Sequence, residues 1–161
     1  MGSTPEPGLL AVDLGLRSGL ALYGRDGRLR NYRSQNFGSQ SRLKRAVPSV
    51  LAGTGPLAFL VLEGGGPVAD VWEKEALRRA LPVLRVSAED WRERLLYARE
   101  QRSGGQAKDA ADGLARRVID WSHASRPTSL RHDAAEAILL GLWGVLEVGW
   151  LPLVPAEVRA R

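Results

Sequence analysis

Four carboxylates in this chain sit where chemistry is possible. Asp13 and Glu63 each end a short apolar run, Leu9-Leu10-Ala11-Val12 and Leu57-Ala58-Phe59-Leu60-Val61-Leu62. Such runs suit strands buried on both faces, and ligands in open α/β sheets gather at strand ends. Asp133 and Glu136 stand three residues apart in Arg131-His132-Asp133-Ala134-Ala135-Glu136-Ala137. In a helix that spacing puts both on one face. Oxygen donors of this kind suit Mg²⁺ or Mn²⁺. Two such ions about 4 Å apart activate a water and stabilise the leaving oxygen of a phosphodiester. Taken singly, each acid has a plainer role. Asp133 and Glu136 would favour a helix dipole from its first turn, Asp13 would cap a turn, and Glu63 would pair with an arginine. Four acids at such junctions in a chain with a formal charge of +5 favour the metal site.

Elements that would position these acids follow from the pattern. Strands are expected over 9–13, 20–23 and 29–37, the last two joined by an Asp26-Gly27 hairpin signal. Further strands are expected over 57–63 and 83–86. Helices are expected from Ser39 or Ser41 toward Leu51 despite Pro48, over 68–80, over 91–96 behind a Ser87 cap, over 108–121 and over 130–146. Residues 1–8 read as a disordered N-terminal tail, 9–148 as one domain and 149–161 as a C-terminal tail. The fold class is α/β, a five-stranded mixed sheet flanked by helices.

Composition narrows the function classes. The 161 residues, 44% hydrophobic and 25% charged, are enough for one domain with a real core. No cysteine is present, which excludes disulfides, thiolate zinc sites and cysteine nucleophiles. The 23 basic residues are 20 Arg and 3 Lys, a skew that suits bidentate phosphate contacts. The start lacks the apolar core of a secretory signal, and 134–146 is too short to span a bilayer, so a cytoplasmic protein without membrane association is expected.

In order, Asp13-Leu14-Gly15-Leu16-Arg17-Ser18-Gly19, Leu60-Val61-Leu62-Glu63-Gly64 and Asp133-Ala134-Ala135-Glu136-Ala137 resemble the acidic strands and final helix of RuvC-type Holliday-junction resolvases. Val86-Ser87-Ala88-Glu89-Asp90-Trp91-Arg92 and Lys108-Asp109-Ala110-Ala111 are similar to the compact bacterial and phage branch. The pattern differs in Leu14, where a proline is usual, in Glu136, where aspartate is usual, and in Gly64-Gly65-Gly66. The resemblance implies an RNase H-like fold, a homodimer, and a crossover junction endodeoxyribonuclease that nicks four-way DNA in pairs, using Mg²⁺ or Mn²⁺, two per site. By position it implies Asp13, Glu63, Asp133 and Glu136 as metal ligands and catalytic residues, with Lys108, at an expected helix start, beside them. Arg17, Arg92, Arg99, Arg102, Lys108 and His132 are the expected DNA contacts. His132 is alternatively a ligand or a helix-start imidazole bonded to backbone. Phe37 or Tyr97 is the expected wedge in the junction, and the helix with Val71, Trp72 and Leu77 the expected dimer contact. Trp143 is expected in the core. The alternative function is a silent or RNA-directed RNase H-like module. An actin-like phosphotransferase would need a second half for which 161 residues leave no room.

Overall fold

The computed structural model describes residues 5–97, 100 and 103–159. Three strands open the chain as an antiparallel meander, β1 (Gly8–Asp13), β2 (Arg17–Tyr23) and β3 (Leu29–Asn36). After α1 (Gln40–Gly53), β4 (Leu57–Glu63) lies parallel to β1. After α2 (Gly66–Arg78), β5 (Val83–Val86) lies parallel to β4. Then come α3 (Ala88–Leu95), α4 (Gly104–Ser122), α5 (His132–Glu147) and α6 (Ala156–Arg159). The sheet order is β3-β2-β1-β4-β5, the five-stranded mixed sheet expected from the pattern.

Strand parity divides the interior into two layers. Leu10, Val12, Leu60 and Leu62 face α1 and α2, where Leu43, Val47 and Trp72 are buried. Leu9, Ala11, Ala21, Tyr23 and Val61 face the other side and meet Ile119, Ile138, Leu142 and Val145 of α4 and α5. Helix α5 is apolar almost all round because it lies between the sheet and α4, and most of its residues are buried. Tyr23 is buried and donates its hydroxyl to the Ile138 carbonyl, which ties β2 to α5.

Local sequence sets the helix starts. Ser39, Ser87 and Ser103 are N-caps whose side chains accept from Arg42, Asp90 and Gln106 amides. The Ser103 cap starts α4 at Gly104, four residues before the expected start, so Lys108 lies exposed in the second turn. Arg17 is the first residue of β2, paired in register with Asn36, so this strand starts three residues before the expected residue 20. The expected C-terminal tail is also different. Leu151, Val154 and Val158 are buried and α6 packs on α4, because these three apolar side chains complete the layer around α5. Of the expected N-terminal tail, residues 1–4 lie outside the described residues, and Gly8 already belongs to β1.

Candidate metal centre

The acids meet on one rung of the sheet. Register pairs Gly19 with Ser34, Asp13 with Gly19, Asp13 with Glu63, and Glu63 with Val86. Asp13 has the parity of Leu9 and Ala11, and Glu63 that of Phe59 and Val61, so both carboxylates emerge on the α5 side. There α5 delivers Glu136 from its second turn. Asp13, Glu63 and Glu136 each bring a carboxylate oxygen to within 4.8 Å of the other two.

Gly19 allows this meeting. A Cβ at that position would lie 1.9 Å from the Asp133 carbonyl oxygen and 2.4 Å from its carbon, so only glycine lets the start of α5 lie against β2. Gly15 serves the preceding turn, where a Cβ would lie 2.7 Å from the Arg17 carbonyl. Buried Ser18 closes that turn, donating its hydroxyl to the Gly15 carbonyl at 2.7 Å. The glycines of the Asp-x-Gly-x-x-x-Gly stretch thus have a backbone reason.

Electrostatics of the cluster are unfavourable without a cation. At about 5 Å and an effective dielectric near 20, two carboxylate charges repel by about 3 kcal/mol. The Asp13 carboxyl is pushed from 3.8 up to about 8. Burial is the main cause, followed by its hydrogen bond with Glu63 and then by the charges of Glu63, Glu136 and Asp133. Three hard oxygen donors gathered within 4.8 Å of one another are the donor set a divalent cation fits.

The remaining site residues divide. Asp133 stands outside the three-acid cluster. Its Oδ2 accepts from Ser34 Oγ at 2.9 Å and its Oδ1 from the Ala134 amide at 2.7 Å, although its charge still reaches Asp13. Glu136 is buried, and its Oε1 lies 3.2 Å from Arg92 Nη2 and 2.8 Å from His132 Nε2. Arg92 and His132, expected on DNA, are therefore placed on an acid of the cluster. Arg17 and Lys108 are exposed. Arg99 and Arg102 lie outside the described residues. Phe37, one of the two expected wedges, is buried edge-on against Trp72, while Tyr97 is exposed. Trp72 is itself fully buried and cannot serve as an interface anchor. Trp143 is half-buried.

Sequence reasoning missed Ser34 as a partner of Asp133 and Arg92 as a partner of Glu136. Ser34 was in principle findable, because pairing the two hairpins in register puts it opposite Gly19 and on the rung of Asp13. The Arg92 contact joins helices 44 residues apart in sequence, and no local signal carries it.

No protein-family model and no curated relative matches the sequence. Solved structures do match in fold. RuvC of Thermus thermophilus in complex with a Holliday junction substrate superimposes with a TM-score of 0.63 at 15% identity, over 90% of this chain and 98% of that one. A second T. thermophilus RuvC structure gives a TM-score of 0.61 at 15% identity, over 88% and 96%. The yeast mitochondrial Holliday junction resolvase gives a TM-score of 0.53 at 12% identity, over 91% and 83%. This chain has the fold of those proteins, the RNase H-like architecture expected from the sequence. Among the described residues, no helix is long and apolar enough to cross a membrane.

Proposed function

We propose that this protein is a metal-dependent, structure-selective endonuclease that resolves four-way DNA junctions by paired phosphodiester hydrolysis in DNA recombination and repair. The observation that carries the reading is the convergence of Asp13, Glu63 and Glu136, from two adjacent strand ends and one helix, within 4.8 Å. It occurs on a fold shared with a RuvC bound to a Holliday junction substrate.

Asp13, Glu63 and Glu136 would hold Mg²⁺ or Mn²⁺, with Asp133 at the edge as the proposed fourth ligand. When bound, a pair of such ions activates a water and stabilises the leaving oxygen of a phosphodiester. The chain supplies the rest. Ser34 and the Ala134 amide fix the Asp133 carboxylate. The apolar strands behind Asp13 and Glu63 keep the site dry on its inner side, which strengthens electrostatic interactions there. Exposed Arg17, four residues past Asp13, and exposed Lys108 are the proposed phosphate contacts, which position DNA without reading its sequence. Two nicks on opposed strands require two related sites, so the working form is a homodimer.

The test is incubation with Mg²⁺ or Mn²⁺ and labelled four-way junction, duplex, single-stranded DNA and RNA–DNA hybrid. Paired nicks confined to the junction are expected. Cleavage of the hybrid alone would make the protein RNA-directed, and binding without cleavage of any substrate would make it a silent module.

A further inference from the structure

The contact between Arg92 and Glu136 has no place in that reading. Arg92 comes from α3 and Glu136 from α5, and their ion pair is mostly buried on the Glu136 side, with side-chain exposures of 34% and 9%. Both Arg92 Nη2 and His132 Nε2 approach the same oxygen, Oε1, at 3.2 and 2.8 Å. A carboxylate oxygen offers two lone-pair directions, and two donors fill them. A divalent cation bonds a carboxylate oxygen at about 2.0–2.1 Å, so it cannot join Oε1 while both donors stay. A cation at Oε2 instead would share the single negative charge of Glu136 with the guanidinium, so each weakens the hold of the other. Of the two donors, Arg92 is the one that is always charged. It also has a second hold nearby, since its guanidinium lies 5.2 Å from the centroid of the Trp91 ring.

We propose that Arg92 is the resident counterion of Glu136, a positioning residue that neutralises and orients this carboxylate until a divalent cation displaces it. The inference rests on the metal reading of Asp13, Glu63 and Glu136. It predicts that wild-type affinity for the cation is lower than the acids alone would give, because entry requires breaking a charge-assisted hydrogen bond.

The experiment is Mn²⁺ titration of the DNA-free protein, followed by calorimetry and by the electron paramagnetic resonance of free Mn²⁺. Wild type is compared with Arg92→Gln, Arg92→Met, Arg92→Lys and Arg94→Gln. Arg92→Gln and Arg92→Met are expected to bind Mn²⁺ about tenfold more tightly, the scale of one charge-assisted hydrogen bond no longer broken. Arg92→Lys, which keeps the charge, should stay within about threefold of wild type. Arg94 lies on the same helix but pairs with Glu147 at 2.9 Å, so Arg94→Gln should change affinity by less than about twofold. Structural damage would weaken binding, so a gain of affinity is a readout that misfolding does not produce. Unchanged or weaker binding in both Arg92→Gln and Arg92→Met, with wild type binding normally, overturns the role of Arg92 alone. Failure of wild type to bind Mn²⁺ at millimolar concentration overturns the metal reading, and this inference with it.

Discussion

Asp13 is where burial and charge conflict most directly. Its carboxyl is raised to about 8 by burial first and by Glu63, Glu136 and Asp133 after it. In the unfolded chain the same group titrates near 3.8. The folded state therefore holds a proton that the unfolded state releases between these values. Stability of the metal-free protein falls as pH rises through that window, because the unfolded state binds fewer protons there. Thermal or urea unfolding from pH 4 to 8 in the presence of a chelator should show this fall, on the order of a few kcal/mol. Saturating Mg²⁺ or Mn²⁺ at pH 8 should restore the loss, since a cation replaces the proton. A flat or rising profile would contradict the account of Asp13. Asp13→Asn keeps the shape and removes the charge. It should abolish cleavage while leaving junction binding within a few-fold of wild type. In the metal-free protein at pH 8 it should also add about 1–2 kcal/mol of stability, or roughly 2–8 °C in Tm. Robust nicking by purified Asp13→Asn would remove Asp13 from the catalytic centre.

Secondary-structure elements bring the acids together through one close approach, that of α5 to β2. Gly19 permits it on the strand side, as shown by the 1.9 Å that would separate its Cβ from the Asp133 carbonyl. Gly141 permits it one face further along, where a Cβ would meet the Tyr23 ring at 2.2 Å. Backbone cannot yield as a flexible side chain can, so Gly19→Ala should cost about 2–4 kcal/mol in chemical unfolding. It should also move Glu136 away from Asp13, which weakens Mn²⁺ binding. Gly53 has nothing within 4 Å of its Cβ position, and Gly53→Ala should stay within about 0.5 kcal/mol of wild type. Equal effects of the two substitutions would refute the close-approach argument. The same elements show what was legible in advance. Apolar runs ending in acids identified β1 and β4 and the acids that converge at their ends, because burial on both faces leaves little choice of residue. The Asp-Gly hairpin and the Ser39 and Ser87 caps were legible because their hydrogen bonds are local. Lys108 was displaced from the helix start because Ser103, Gly104 and Gly105 read as loop, whereas the Ser103 cap makes Gly104 and Gly105 the first turn. Residues 149–159 read as tail because the proline and glycine signals are local, while burial of Leu151, Val154 and Val158 depends on a surface that other elements create. Which oxygen of Glu136 meets Arg92 is tertiary in the same way.

At the scale of the whole molecule, the sheet separates the acidic centre, on the α5 side, from the layer of α1 and α2. The proposed paired nicking would need a second protomer whose acids face the opposed strand, and α2 is the helix expected from the sequence to meet it. Trp72, the aromatic anchor expected there, points inward and is fully buried against Phe37 and the sheet. Leu77 on the same helix is 81% exposed, an apolar side chain with no partner in the protomer's core. A single exposed leucine is common, but here it shares α2 with half-buried Val71, which lines a groove between α1 and α2 together with Lys44, Asp70, Lys74 and Arg78. Both charge signs in that groove suit an isologous contact, in which each protomer's basic residues meet its partner's acidic ones. Wild type is therefore expected to sediment as a dimer at micromolar concentration, and Leu77→Glu as a monomer. Because Leu77 lies outside the core, the variant should unfold at normal denaturant concentration once the contribution of dimerisation is subtracted. Trp72→Ala, by contrast, should cost about 3–5 kcal/mol whatever the oligomeric state. Monomeric Leu77→Glu should still nick single strands of a junction, since each protomer carries its own Asp13, Glu63 and Glu136, but lose the coupling of the two nicks within one binding event. A wild type that sediments as a monomer and still cuts both strands in one encounter would show that this fold resolves junctions without a partner.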